Sequence, residues 1–169
     1  IVFITGASSG IGEGCARKFA SQGSDLILNA RNVAKLEELK VELEAKYGVR
    51  ICLLPFDVRD RNAATMALAS LPEEWKRIDV LVNNAGVLGA SMPNATEEAF
   101  DKVIDTNLKG VFFLSQLFGG YLKANKVEGN ILNVGSSSCL RPATSAYTLS
   151  KWGIRGLTLG LAKSLAPYG

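Results

Sequence analysis

Short apolar runs alternate with longer amphipathic segments along the whole chain. The apolar runs are continuous, as in strands that are covered on both faces of a sheet, and they predict five strands. These strands are expected near residues 1–5, 25–30, 50–55, 78–83 and 130–135. Helical spacing predicts helices from about Ile11, over Val33–Tyr47, from about Arg61, as a long pair between Thr96 and Asn125, and over Ala146–Leu165.

This alternation of strands and helices indicates an α/β fold. Repeated strand-helix-strand units predict a doubly wound, Rossmann-like parallel sheet with helices on both faces and the strand order 3-2-1-4-5. Thr96 followed by two glutamates predicts a capped helix start, and Gly48 and Pro167 predict helix ends. A length of 169 residues suits one well-buried core, so residues 1–169 are expected to form a single domain.

Charge and hydropathy exclude several classes of partner. The chain has 19 Lys and Arg against 16 Asp and Glu, and it has no basic stripe, so nucleic acid is not an expected partner. No apolar stretch is long enough to span a membrane, and the chain begins with a strand pattern instead of a leader. We therefore expect a cytoplasmic protein without membrane association.

Cysteine and histidine usage narrows the possible chemistry. Cys15, Cys52 and Cys139 are widely spaced and form no CxxC motif, which predicts unpaired, buried thiols in a reducing compartment. The chain has no histidine, so it lacks both the commonest metal ligand and the commonest general base. No metal site is expected.

The first predicted strand runs into a glycine-rich turn, Thr5–Gly12, and then into a helix. Glycines permit a tight turn in which backbone N–H groups bind a pyrophosphate at the positive end of the helix, although a tight turn without a ligand is an alternative. A P-loop is excluded because Glu13 follows the last glycine. Gly6–Gly10 also matches the GxSxG elbow of hydrolases, but that nucleophile needs a histidine from outside this chain. The predicted cofactor contacts in the turn are Gly6, Ser8, Ser9, Gly10, Ile11 and Gly12.

The second strand ends close to an arginine, Arg31. NAD-binding folds place a carboxylate at this position to bind the ribose hydroxyls, and none is present here. The guanidinium of Arg31 suits the 2′-phosphate of NADP, whereas a solvated residue at a helix start is the competing interpretation. The sequence therefore predicts NADP(H) in preference to NAD(H).

Tyr147 and Lys151 are four residues apart in the last predicted helix, so they share one helix face. A nearby ammonium favours the ionised form of a phenol, which lets the phenol exchange a proton with a carbonyl or alcohol oxygen. Ser136 follows the fifth strand, where open α/β sheets bind ligands, and its hydroxyl is expected to orient the substrate oxygen. Turn formation is the alternative role for this serine.

Together these motifs resemble those of the short-chain dehydrogenase/reductase family over essentially the whole chain. The matching residues are Thr5–Gly12 for TGxxxGxG, Asp57 for the acid after the third strand, Asn83–Gly86 for NNAG, Asn107 for the helix asparagine, and Tyr147 with Lys151 for YxxxK. The resemblance implies Asp57 near the adenine and Lys151 at the nicotinamide ribose. It also implies that Asn107 holds a water near Lys151. Further cofactor-binding residues implied in this way are Asn84, Ala85, Gly86 and Tyr147.

The same resemblance implies an NADP-dependent carbonyl reductase or alcohol dehydrogenase. Its substrate would be a ketone, aldehyde, sugar, steroid or 3-oxoacyl compound, and it would form a homodimer or homotetramer. A catalytically silent dinucleotide-binding protein with a regulatory or assembly role is the alternative. Asn83 is expected either to contact the cofactor or to cap the strand end.

Three features depart from the family pattern. The interval between Ser136 and Tyr147 is short, so Ser137 or Ser138 is an alternative substrate-orienting residue. The glycine turn lacks the additional basic residue of many NADP-binding members. The family continues into later strands that are missing here, and this sequence begins inside its first strand, so the chain is expected to be truncated at both ends.

Overall fold

The five predicted strands pair in parallel into one sheet in a computed structural model that describes residues 1–169. The strands are β1 (Val2–Thr5), β2 (Leu26–Asn29), β3 (Ile51–Leu53), β4 (Val80–Asn83) and β5 (Asn130–Asn133). Their order is β3-β2-β1-β4-β5, which confirms the predicted topology. The chain reverses its direction of winding between β1 and β4, and doubly wound folds bind ligands at such a switch point.

Six α-helices connect and cover these strands. They are α1 (Gly10–Ala20), α2 (Val33–Tyr47), α3 (Arg61–Ala69), α4 (Glu97–Ile104), α5 (Gly110–Asn125) and α6 (Ala146–Leu165). A π-helical turn, Asp105–Lys109, joins α4 to α5, so the predicted pair of helices is one continuous helical segment. No helix has the combination of length and apolar character that a bilayer span requires.

Local capping residues fix where several helices begin and end. The side chains of Asn32, Thr96 and Ser145 each accept a hydrogen bond from a backbone N–H in the first turn of the helix that follows. Gly48 ends α2 in the left-handed conformation, as predicted. The cap at Ser145 lies two residues before Tyr147 and therefore places Tyr147 in the first turn of α6.

Apolar side chains fill a core on each face of the sheet. On β1, Ile4 packs with α1 and α2 on one face, and Phe3 packs with α3 and α5 on the other. The prediction of strands covered on both faces holds for β1 and β2. It is wrong for β5, an edge strand of the sheet, which leaves Leu132 43% exposed.

The three cysteines are unpaired, as predicted, but they are not fully buried. Cys15, Cys52 and Cys139 are each half-buried. Burial raises the pKa of the Cys52 thiol, which keeps it protonated. None of the three lines the cleft described below.

Candidate active site

A cleft of about 400 Å³ opens where β1 to β4 end. Its walls come from the turn after β1 and from the loops that follow β2, β3 and β4. This is the crevice at which a doubly wound sheet binds its ligand. The predicted cofactor residues that line it are Gly6, Ser8, Ser9, Ile11, Arg31, Asp57, Asn84, Ala85 and Gly86.

The glycine turn has the geometry that phosphate binding requires. Gly6 and Gly10 have φ values of +66° and +58°, a backbone conformation that glycine adopts readily. Ser9 precedes α1 in an extended conformation, and its side chain makes no capping hydrogen bond to the helix. The first-turn amides of α1 are thus left without a side-chain acceptor, and an anion can satisfy them.

Gly12 has a packing role that differs from the predicted cofactor contact. It is buried and does not line the cleft, and neither does Gly10. A Cβ atom at Gly12 would lie well under 3.0 Å from the carbonyl oxygen of Gly6 and from Nδ2 of Asn84. The missing side chain therefore lets α1 approach the turn and the loop after β4.

Asn84 and Thr5 hold the glycine turn against the loop after β4. Nδ2 of Asn84 donates to the carbonyl oxygens of Thr5 and Gly6 at 3.0 and 3.1 Å. The hydroxyl oxygen of Thr5 accepts from the backbone N–H groups of Asn84 and Ala85. These bonds fix the width of the cleft between β1 and β4. The contribution of Thr5 depends on a partner 79 residues away, which the local sequence does not reveal.

Arg31 and Asp57 lie at the end of the cleft formed by β2 and β3. Arg31 is exposed and has no salt-bridge partner, and Asn32, not Arg31, caps α2. The guanidinium of Arg59 binds the carboxylate of Asp57 at 2.7 Å, and this hydrogen bonding lowers the pKa of Asp57. Asp57 therefore stays ionised, and the nearby charge of Arg31, which makes no salt bridge of its own, also favours the ionised form.

Tyr147 and Lys151 lie on one face of the first two turns of α6. Lys151 is 7% exposed, and its Nζ lies 5.8 Å from the centre of the Tyr147 ring. The same Nζ donates to the carbonyl oxygen of Val134 at 2.7 Å, which fixes the lysine above the end of β5. Burial lowers the pKa of Lys151. Tyr147 is half-buried, so its ring is not sealed inside the core.

Ser136 lies two residues beyond the carbonyl that anchors Lys151. Its Oγ accepts from the backbone N–H of Ser138 at 3.1 Å and caps the 3-10 turn Ser137–Leu140. The turn-forming role is therefore present, and the hydroxyl hydrogen remains available to a substrate oxygen. Ser137 is exposed and Ser138 is half-buried, and both lie within the 3-10 turn.

Asn107 lies in the π-helical turn and is 1% exposed. Its Oδ1 accepts from the backbone N–H of Val87 at 2.8 Å, and its Nδ2 donates to the carbonyl of Val87 and to Oγ of Ser150. Both amide hydrogens of the side chain are thus engaged. The side chain links the loop after β4 to α6 and makes no hydrogen bond to Lys151.

The model of the short-chain dehydrogenase family matches residues 1–169. This chain belongs to the short-chain dehydrogenase family. It is 38% identical over 170 residues to the NADP-dependent 3-hydroxy acid dehydrogenase of Escherichia coli K12, a match that covers 98% of the chain and 66% of that relative. The chain thus spans about two thirds of this relative's length.

Solved structures of this family superpose closely on the chain. The closed form of a serine dehydrogenase complexed with NADP+ has a TM-score of 0.89 at 36% identity, with 97% of this chain and 66% of that chain covered. An alcohol dehydrogenase from Thermococcus sibiricus, complexed with 5-hydroxy-NADP, has a TM-score of 0.90 at 32% identity and covers 98% and 71%. The predicted preference for NADP agrees with the cofactors of these relatives.

The short-chain dehydrogenase cleft also includes residues that the sequence analysis missed. Arg59, Lys102 and Thr106 line it. Arg59 follows Asp57 by two residues, and this spacing allows an ion pair between them. The sequence therefore contained a signal from which the position of Arg59 beside Asp57 could have been predicted. Lys102 and Thr106 reach the cleft from α4 and the π-helical turn, which only the tertiary packing brings there. Asn83 links β4 to β5 and α5 by donating to Asn133 and Ser115, and it does not line the cleft.

Proposed function

We propose that this chain is the cofactor-binding and catalytic part of an NADP(H)-dependent oxidoreductase that acts on carbonyl and alcohol groups. The observation that carries the proposal is the pairing of Tyr147 with a buried lysine at the edge of the sheet that holds the cleft. Lys151 lies 5.8 Å from the ring centre of Tyr147 and is anchored on β5. An exposed tyrosine on a helix surface would have no such buried cation beside it.

The glycine turn and Arg31 fit the phosphates of a dinucleotide. The positive φ values of Gly6 and Gly10 and the uncapped start of α1 suit a pyrophosphate. Arg31 makes no salt bridge, so its guanidinium N–H groups are available to the additional 2′-phosphate. When bound, the nicotinamide supplies or accepts the hydride.

Each of three side chains has a role in the proposed proton transfer. Tyr147 gives a proton to the carbonyl oxygen in reduction and takes it from the alcohol in oxidation. The ammonium of Lys151 favours the ionised form of the phenol. Ser136 orients the substrate oxygen with the hydroxyl hydrogen that its own turn leaves free.

A substrate panel with the complete protein tests this function. The panel contains ketones, aldehydes, keto sugars, steroids, 3-oxoacyl thioesters and 3-oxo acids, and NADPH consumption is followed by absorbance. Turnover of at least one class is expected. Binding of NADPH without turnover of any class would instead favour a silent regulatory or assembly protein.

We also propose that the complete protein forms a homodimer or homotetramer through α5 and α6. Phe112 on α5 and Leu159 on α6 are large apolar side chains with 46% and 65% exposure. Association would remove such surface from water. The mass of the complete protein in solution, measured by light scattering, tests this proposal.

Replacing Arg31 with Gln is expected to weaken NADPH binding by about tenfold, because charge-assisted hydrogen bonds to the 2′-phosphate are lost. NADH lacks that phosphate, so its affinity should stay within about twofold of the original value. Fluorescence titration of both cofactors measures the difference. Arg77→Gln is the matched control, since Arg77 is exposed and lies outside the cleft. Equal losses for NADPH and NADH would contradict the assignment of Arg31.

A further inference from the structure

Ser150 is a buried polar residue between the two proposed catalytic side chains of α6. It is 0% exposed, so it contacts neither substrate nor cofactor. Its Oγ donates to the carbonyl oxygen of Tyr147 at 2.7 Å and accepts from Nδ2 of Asn107 at 3.2 Å. One hydroxyl thus bonds both to the backbone of the helical turn that carries Tyr147 and to the π-helical turn.

Asn107 continues this chain of hydrogen bonds to the wall of the cleft. It bonds to both the N–H and the carbonyl of Val87, at 2.8 and 2.9 Å, and Val87 lines the cleft. A Cβ atom at the neighbouring Gly86 would lie 3.4 Å from Oδ1 of Asn107, so the loop packs closely on the amide. Buried hydrogen bonds therefore run from the cleft wall through Asn107 and Ser150 to the backbone of Tyr147.

We infer that Ser150 is a positioning residue. It holds the first turn of α6, which carries Tyr147, in a fixed position relative to the cofactor cleft. The inference rests on the proposed function of Tyr147. Displacement of a catalytic group by about 1 Å costs up to about 100-fold in rate, so a link of this kind has a large effect on turnover. Removing the hydroxyl also leaves one buried N–H of Asn107 without its acceptor, which is costly and favours a rearrangement of the same turn.

A second serine provides a matched comparison. Ser115 on α5 is also 0% exposed, and it also accepts a hydrogen bond from an asparagine amide, that of Asn83 at 3.0 Å. It lies outside the turn that carries Tyr147 and does not line the cleft. A purely structural role predicts the same consequences for Ser150→Ala and Ser115→Ala.

The test compares Ser150→Ala, Ser150→Thr and Ser115→Ala in the complete protein, with NADPH and a substrate that the panel identifies. Ser150→Ala is expected to lower kcat by about tenfold, while KM and the NADPH dissociation constant stay within about twofold. Ser150→Thr keeps a hydroxyl that can bond to the preceding turn and should recover most of kcat. Ser115→Ala should lower the melting temperature without lowering kcat.

Two results would overturn the inference and leave the proposed function standing. One is a wild-type kcat for Ser150→Ala, and the other is an equal loss of kcat for Ser150→Ala and Ser115→Ala. If Ser150→Ala does not fold, Ser150→Cys replaces it. The cysteine thiol forms weaker hydrogen bonds than the serine hydroxyl, so a wild-type kcat for Ser150→Cys would also overturn the inference. A wild-type protein that turns over no substrate would instead remove the proposed function, and the inference with it.

Discussion

Changing Tyr147 to Phe is expected to lower kcat by about a thousandfold, within the range that general acid-base catalysis contributes. The change removes one hydroxyl and keeps the ring that lies 5.8 Å from the Lys151 ammonium. The phenol is the only group that the proposed reaction uses for proton exchange with the substrate oxygen. Loss of its hydroxyl leaves the hydride step without its proton donor or acceptor.

Two measurements and one control variant separate this effect from damage to the fold. The NADPH dissociation constant and the melting temperature should both stay near the wild-type values, because Tyr147 lies outside the cleft that holds the glycine turn. Tyr121→Phe is the matched control, since Tyr121 is half-buried on α5 and stacks on Phe118 away from the site. A Tyr147→Phe rate within tenfold of wild type would remove Tyr147 from the mechanism.

Local signals in the sequence were sufficient to predict most of the secondary-structure elements of the fold. The predicted bounds Val33–Tyr47 and Ala146–Leu165 are the observed bounds of α2 and α6. Capping residues and helix-ending glycines act within a few residues of the boundary they define, so a single sequence contains the information. The alternation of strands and helices indicated a doubly wound parallel sheet, a class that has only a few common strand orders.

Other features depend on neighbours that are distant in the chain. The exposure of Leu132 follows from the edge position of β5, which the apolar run of that strand does not encode. The π-helical turn Asp105–Lys109 interrupts a segment whose apolar spacing resembles that of ordinary helices. It brings Asn107 to Val87 and Ser150, 20 and 43 residues away. Resemblance to the family identified Asn107, but its partners required the structure.

The glycine turn contains residues that face the cleft and a residue that has a packing role. Gly6, Ser8, Ser9 and Ile11 line the cleft and can meet a ligand. Gly12 lies behind them and sets the distance between α1 and the loop after β4. In the sequence, Thr5–Gly12 has the pattern of a single phosphate-binding motif. In the structure, it combines residues that can contact a ligand with one residue that has a packing role. The two roles predict different consequences for substitution.

Changing Gly12 to Ala is expected to destabilise the protein by about 3 kcal/mol, at the upper end of typical overpacking costs. The new methyl group would meet the carbonyl oxygen of Gly6, and backbone atoms cannot swing aside as a flexible side chain can. It would also meet the Asn84 amide that holds the turn. Relief of these clashes requires α1 to move away from β1, so NADPH affinity should fall as well. Urea denaturation and fluorescence titration measure the two effects.

Gly14 provides the matched control within the same helix. It is exposed, and a Cβ atom there would have no neighbour within 4 Å. Gly14→Ala should therefore stabilise α1 by up to about 1 kcal/mol, the helix preference of alanine over glycine, and leave NADPH binding unchanged. The two substitutions are identical and lie two residues apart. Opposite signs of their effects on the free energy of unfolding can therefore only come from what surrounds each methyl group. If Gly12→Ala were as stable as Gly14→Ala and bound NADPH equally well, close packing of α1 on the turn would not be a requirement of the site.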